Sequence, residues 1–213
     1  MSRTCIKFCG LNKIDDLVYA DSLDIDLLGL IFTSKSPRFV NEERLKEIAS
    51  LKITKPLVGV FMDQPVAYVN EIMNVRRLDY LQFHGSESYD YCKSFNTPFI
   101  KTIHVGSEQI VVDQILIKNA SMTLFDTQIY DQKGGTGTRF DWSQLINDQA
   151  LQDIIKTSKY LVAGGLNLEN INDLLVTYNP KGIDVSSGLE YDTGKKDHEK
   201  MERFVNIVRT NDS

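Results

Sequence analysis

Eight strand-like runs recur along the 213 residues, and almost every one leads into an amphipathic, helix-like run. The strand candidates are CIKFCG, LLGLIF, PLVGVFMD, YLQFHG, FIKTIHV, MTLFD, YLVAGG and GIDVSS. Helical patterns lie between them, among them NKIDDLVYADSL, NEERLKEIAS, PVAYVNEIMNVRR, LENINDLLVTY and KDHEKMERFVNIVR. Strands alternating with helices imply a parallel sheet, because a strand can return beside its predecessor in the same direction only through a long crossover. Eight such units predict an α/β fold of one kind, a closed (β/α)8 barrel (the TIM-barrel architecture), with residues 1–213 as a single domain. The competing fold is a doubly wound open sheet, whose first strand–helix turn is typically rich in glycine. The first turn here, CGLNK, has one glycine, which favours the barrel. Asn12, Asn41 and Asn167 are expected to cap helices, and Pro65 sits where a first helical turn should begin.

The alternation inside the strands supports closure. Side chains on a strand point to opposite faces with a period of two. Ile6 and Phe8 therefore share one face and Cys5, Lys7 and Cys9 the other; Leu81 and Phe83 oppose Tyr80, Gln82 and His84; Ile183 and Val185 oppose Asp184 and Ser186. The oily faces would pack on helices and the mixed faces would line the barrel. A fully buried parallel strand should be apolar on both faces. The intruding polar residues cluster at the C-terminal strand ends: Cys9, Asp63, His84, Asp126 and Asp184. In a barrel those ends converge on one rim, where active sites sit.

Composition narrows the function classes. Apolar residues make up 42%, charged residues 25%, and the formal net charge is -5, a balance without the basic patch of nucleic-acid or membrane-surface proteins. No apolar run is long enough to cross a bilayer, and no secretory signal precedes the first strand. Three cysteines without metal-type spacing, and three scattered histidines, point to free thiols in a reducing, cytoplasmic compartment and to no structural zinc.

Two glycine- and serine-bearing strand ends close the chain, Ala163-Gly164-Gly165-Leu166 and Asp184-Val185-Ser186-Ser187-Gly188. On a barrel they are the seventh and eighth strand–helix loops, the frequent phosphate site of the fold, where backbone N–H groups and hydroxyls cradle an anion. The blander reading is that the glycines only make tight turns. Gly134-Gly135-Thr136-Gly137 lies in a long polar loop from Thr127 to about Phe140, either a lid over a substrate or a plain connection. Arg38, in Ser34-Lys35-Ser36-Pro37-Arg38 after the second strand, suits a carboxylate or phosphate partner, although most loop arginines are simply solvated. Cys9 and Asp126 are the candidates for proton transfer: a thiolate abstracts a proton and a protonated carboxyl donates one, and the strand order puts them across the barrel mouth. Lys7 either favours the Cys9 thiolate or pairs with a buried carboxylate. Cys5, Cys92 and Trp142 read as packing, His84 as a site residue or a hydrogen-bonded structural histidine, and Glu190 with Lys195-Lys196-Asp197 as ordering the last loop.

Together these motifs resemble the phosphoribosylanthranilate isomerases, barrel enzymes of tryptophan biosynthesis. The likeness runs in order through Lys7-Phe8-Cys9-Gly10, Gly29-Leu30-Ile31-Phe32 with Ser36-Pro37-Arg38, Val58-Gly59-Val60-Phe61, Leu81-Gln82-Phe83-His84-Gly85, Leu124-Phe125-Asp126, Gly134-Gly135-Thr136-Gly137 with Phe140-Asp141-Trp142, Ala163-Gly164-Gly165-Leu166 and Ile183-Asp184-Val185-Ser186-Ser187-Gly188. The resemblance implies an Amadori rearrangement of N-(5-phospho-β-D-ribosyl)anthranilate, with Cys9 as general base and Asp126 as general acid. It implies that Arg38 holds the anthranilate carboxylate and that Gly164, Gly165, Ser186, Ser187 and Gly188 hold the phosphate, helped by Gly135, Thr136 and Gly137. Asp184 would bond the sugar hydroxyls and His84 would line the site. It implies no cofactor and no metal and a phosphorylated sugar as the partner; the charge balance argues against a nucleic-acid or membrane partner, and the chain is expected to be a monomer. Phe8 and Phe83 are larger than the pattern leads one to expect, and Asp192-Thr193-Gly194 replaces a usual proline–glycine.

Related sugar-phosphate barrels, an indole-glycerol-phosphate synthase or a pentose-phosphate epimerase, would share the phosphate end. The synthase needs catalytic lysine and glutamates on strand ends and the epimerase a metal-binding His/Asp set, and neither is evident. A non-catalytic phosphate-binding barrel would explain the glycine and serine loops but not Cys9 with Asp126.

Overall fold

The computed structural model describes residues 3–106, 113–127 and 142–212. Gly135, Thr136, Gly137 and most of the loop expected to carry them lie outside the described residues.

The chain runs β1 (Cys5–Cys9), α1 (Ile14–Ser22), β2 (Leu27–Ile31), α2 (Glu42–Ala49), β3 (Leu57–Phe61), α3 (Val66–Val75), β4 (Tyr80–Phe83) and α4 (Tyr89–Lys93). It continues through β5 (Phe99–Val105), α5 (Gln114–Asn119), β6 (Met122–Thr127), α6 (Gln144–Asn147), α7 (Gln149–Thr157), β7 (Tyr160–Val162), α8 (Ile171–Tyr178) and β8 (Gly182–Val185). A short hairpin, β9 (Glu190–Asp192) and β10 (Lys195–Lys196), precedes the last helix, α9 (His198–Asp212). Strands β1 to β8 form a closed barrel in sequence order. The seam is the parallel pairing of β1 with β8, Lys7 lying opposite Asp184. Among the described residues no helix is long and apolar enough to cross a membrane.

The period of two in the strands sorts side chains into two apolar layers. Ile6, Phe8, Leu81, Phe83, Ile183 and Val185 are buried between barrel and helices. Each such side chain contributes on the order of 1.5–3 kcal/mol through burial. The two oversized phenylalanines are accommodated in that layer by aromatic contacts. Phe8 meets Phe204 of α9 edge-on with ring centroids 6.1 Å apart. Phe83 meets Tyr91 at 5.4 Å, also edge-on. Inside the barrel, Leu27, Val58, Ile100, Leu124 and Leu161 form a separate apolar floor, with Cys5 packed against it. Above that floor the inward side chains turn polar, so the barrel opens toward its C-terminal rim.

Helix ends follow local chemistry in part. Asn41 caps α2, its side chain accepting from Arg44 N. Asn12 caps nothing: Lys13 occupies the N-cap of α1 without a side-chain bond. Asn167 acts one turn early, its Oδ1 accepting from Glu169 N and Asn170 N, while Asn170 stands at the N-cap of α8. Pro65 is the N-cap of α3 rather than its first helical residue. At the base of the barrel α9 clasps the first strand, with Asp212 Oδ1 accepting from Thr4 N at 2.9 Å and Arg209 Nη1 donating to Thr4 O at 2.8 Å.

Candidate active site

The strand ends of the barrel surround a cavity of about 400 Å³, within the range of small-molecule sites. Cys9, His84, Asp126 and Asp184 reach it from β1, β4, β6 and β8. Arg38 enters from the loop after β2. Gly164 and Gly165 line it after β7, and Ser186 and Ser187 after β8. Gly188 is placed otherwise. It packs on the loop after β7, where a Cβ would lie 1.9 Å from Leu166 O, so it joins two loops and stands outside the cavity wall. Asp63 likewise stands on the rim but outside the cavity wall. Its Oδ1 accepts from Ser86 N at 2.7 Å and braces the loop after β4.

Cys9 is buried, and its surroundings answer the question Lys7 posed. Lys7 Nζ donates to Asp184 Oδ1 at 2.9 Å and lies on the same side as the Cys9 thiol, both close to Gly29. The carboxylate pairing of Lys7 holds, because β1 and β8 are paired in register and the inward lysine reaches across to the aspartate. Burial opposes the Lys7 charge, but Asp184 and Cys9 outweigh it and hold the ammonium pKa above its ordinary value. Burial likewise pushes the Cys9 thiol up, and the Lys7 ammonium pulls against that rise. Room for the cluster comes from Gly29 on β2, where a Cβ would lie 2.9 Å from Cys9 Sγ and 3.2 Å from Lys7 Nζ. Removing one member of a buried pair strands the other charge. Lys7→Met is therefore expected to lower the unfolding free energy by about 3 kcal/mol, measured by chemical denaturation; an unchanged midpoint would show the pair to be dispensable.

His84 stands beside Asp126, with Nε2 3.5 Å from Asp126 Oδ2. Its other ring nitrogen is held by Thr102 Oγ1 at 3.1 Å and Gln82 Nε2 at 3.3 Å. As the Gln82 amide is oriented, it donates to Nδ1, which leaves the ring proton on Nε2, facing Asp126. Burial first, then the neighbouring His104 and Lys7 charges, push the His84 pKa down to about 4. The ring beside Asp126 is therefore neutral near pH 7. Behind it, Lys101 Nζ donates to Gly85 O at 2.5 Å and to Glu87 Oε2 at 2.9 Å, and Glu87 accepts from Asp63 N and Gly85 N. This buried pair fixes the backbone that follows β4.

The loop after β7 is built from backbone that glycine alone adopts easily. Gly164 and Gly165 have φ of 87° and 66°. Gly10, at φ 74°, follows Cys9, and a Cβ there would lie 2.5 Å from Arg38 Cδ; its absence lets the arginine stem cross the end of β1. Thr33 Oγ1, Gln82 Oε1 and Ser186 Oγ are buried on the cavity wall without a hydrogen-bond partner. Buried polar atoms are normally satisfied, so three on one wall mark where a polar ligand's groups fit. Gln82, Thr33, Thr102 and Lys35 are wall or supporting residues that sequence reasoning did not single out as site residues. Lys35 stood in the Arg38 motif and Gln82 in the inward alternation of β4, which was the available signal; Thr33 and Thr102 gave none.

A family model described as N-(5'phosphoribosyl)anthranilate (PRA) isomerase matches residues 6–207. The N-(5'-phosphoribosyl)anthranilate isomerase of Legionella pneumophila (strain Paris) is 37% identical over 211 residues, covering 97% of this chain and 98% of that protein. The solved phosphoribosyl anthranilate isomerase of Thermotoga maritima superposes with a TM-score of 0.80 at 27% identity, over 97% of this chain and 99% of that one. Another solved phosphoribosyl anthranilate isomerase, in complex with reduced 1-(o-carboxyphenylamino)-1-deoxyribulose 5-phosphate, gives 0.78 at 26% identity over the same shares. With the ordered motifs, the closed barrel and these likenesses in agreement, the chain belongs to the phosphoribosylanthranilate isomerase family.

Proposed function

We infer that the chain catalyses the Amadori rearrangement of N-(5-phospho-β-D-ribosyl)anthranilate to 1-(2-carboxyphenylamino)-1-deoxy-D-ribulose 5-phosphate in tryptophan biosynthesis, an aldose–ketose type isomerisation. The observation that carries the site assignment is the arrival of Cys9 and Asp126 at one cavity from β1 and β6, with cationic and glycine-rich loops around them. Asp126 protonates the furanose ring oxygen. The C1–O bond breaks, the ring oxygen becomes a hydroxyl, and the anilino nitrogen lone pair closes a protonated Schiff base. Cys9, as thiolate, removes the proton from ribose C2, and the electron pair of that C–H bond neutralises the Schiff base to an enolamine. Tautomerisation to the ketone completes the shift of hydrogen from C2 to C1.

Arg38 holds the anthranilate carboxylate. Gly164, Gly165, Ser186 and Ser187 hold the phosphate, where Lys35 adds positive charge, and Asp184 bonds the sugar hydroxyls. The reading is supported by chemistry: a substrate with a phosphate and a carboxylate at opposite ends needs two anion sites flanking an acid and a base. We take residues 1–213 as one catalytic domain, because one closed barrel of eight strands supplies every described residue of the cavity wall. Three free thiols support a cytoplasmic setting. The labile substrate is generated in situ, and the enzyme is expected to accelerate loss of its anthranilate fluorescence. A purified, folded chain with no such activity would overturn the assignment.

A further inference from the structure

The β9–β10 hairpin buries two charged side chains that face each other: Glu190 is 5% exposed and Lys196 1%. Buried charges persist where they are paired and hydrogen-bonded. Glu190 Oε1 accepts from Arg38 Nε and Oε2 from Arg38 Nη2, each at 2.7 Å, a two-bond fork. Lys196 Nζ donates to the same Oε1 at 2.9 Å and to Ser186 O at 3.0 Å. Gly194 N reaches Oε2 at 3.2 Å, and Lys200 Nζ holds the Glu190 carbonyl at 2.7 Å. The carboxylate thus accepts four hydrogen bonds from three residues, and its backbone is held by a fourth.

A guanidinium has five N–H donors. Glu190 occupies the edge formed by Nε and Nη2, and among the described residues Nη1 donates to no protein group. Arg38 therefore has one edge left for a ligand carboxylate, and its plane is set by Glu190. The charges of Arg38, Glu190 and Lys196 leave one net positive charge beside the cavity, enough to attract an anion. We propose that Glu190, held by Lys196, is a positioning residue that aims the free edge of Arg38 and thereby selects a substrate with a carboxylate on its aromatic ring. The proposal rests on the reading of Arg38 as the holder of that carboxylate.

Charge and position predict opposite outcomes for Glu190→Gln. If charge alone mattered, the extra positive charge would tighten binding of the carboxylate. If aim matters, the arginine loses its fork and binding weakens. The readout is the ratio of affinities, by titration calorimetry, for reduced 1-(o-carboxyphenylamino)-1-deoxyribulose 5-phosphate and its phenylamino counterpart without the carboxylate. Glu190→Gln is expected to lower this ratio about tenfold, the scale of one charge-assisted hydrogen bond, and to raise KM with kcat within about threefold. Glu190→Asp keeps the charge but is one methylene short, and is expected to lower the ratio about threefold. An unchanged or raised ratio in Glu190→Gln overturns the proposal; should that variant fail to fold, an unchanged ratio in Glu190→Asp does the same. Arg38→Ala separates the two ideas. If it keeps the wild-type ratio, the reading of Arg38 fails; if it abolishes the ratio while the Glu190 variants keep theirs, only the positioning role fails.

Discussion

Cys9→Ala is expected to lower kcat by about 100- to 10,000-fold, the range of a positioned acid–base group, while affinity for the reduced product analogue stays within a few-fold. The thiol sits at the end of β1 facing the cavity, and in the proposed mechanism it supplies a base for the C2 proton rather than a binding contact. Cys9→Ser is expected to lose almost as much, because a hydroxyl fills the same space without ionising near neutral pH. The pH profile carries the sign. Burial raises the Cys9 pKa, so the thiolate fraction is small at neutral pH and grows as pH rises. The kcat/KM of wild type should therefore climb on the alkaline side, with its limb above the ordinary thiol range. Lys7 restrains that shift, since its ammonium favours the thiolate. Steady-state fluorescence of Cys9→Ala decides the matter: full activity would remove Cys9 as the base.

The barrel was legible because its two constraints are local. A strand inside a closed barrel must put one face on helices and the other on the interior, and the period-two pattern of CIKFCG or YLQFHG states that directly. The polar residues at strand ends were legible for the same reason, since the apolar floor below them made each one an exception. What was not legible depends on pairings far apart in sequence. Lys7 meets Asp184 only because β1 closes against β8, and Arg38 meets Glu190 across the loops after β2 and β8. No local pattern distinguishes Asn41, which caps α2, from Asn12, which caps nothing, because the start of α1 is set by how the chain leaves β1. The packing of Gly188 was hidden for a similar reason: a glycine after a strand serves equally to admit an anion or a neighbouring backbone, and here the Leu166 carbonyl lies where a Cβ would stand. Glu190 was assigned to ordering the last loop, which it does, but its partner in the site was invisible without the fold.

Asp126→Asn should reduce kcat/KM by at least about 100-fold with little change in affinity for the reduced analogue. Asparagine keeps the shape and the hydrogen-bonding reach of the aspartate but has no acidic proton, so the substitution separates contact from catalysis. The furanose ring opens only when its oxygen leaves as a hydroxyl; an alkoxide is a far poorer leaving group, and water at the rim is a far weaker acid than a carboxyl. His84 bears on this step through its charge state. A cationic imidazole 3.5 Å away would hold Asp126 as a carboxylate and oppose its role as an acid. With its pKa near 4, the ring stays neutral near pH 7 and places no full positive charge beside Asp126. His84 substitutions should consequently act much less severely than Asp126→Asn, and the comparison is made at one pH with the same in situ substrate. Asp126→Asn that retained full activity would place ring opening on another acid, and the only other carboxyl on the cavity wall among the described residues, Asp184, is already engaged by Lys7.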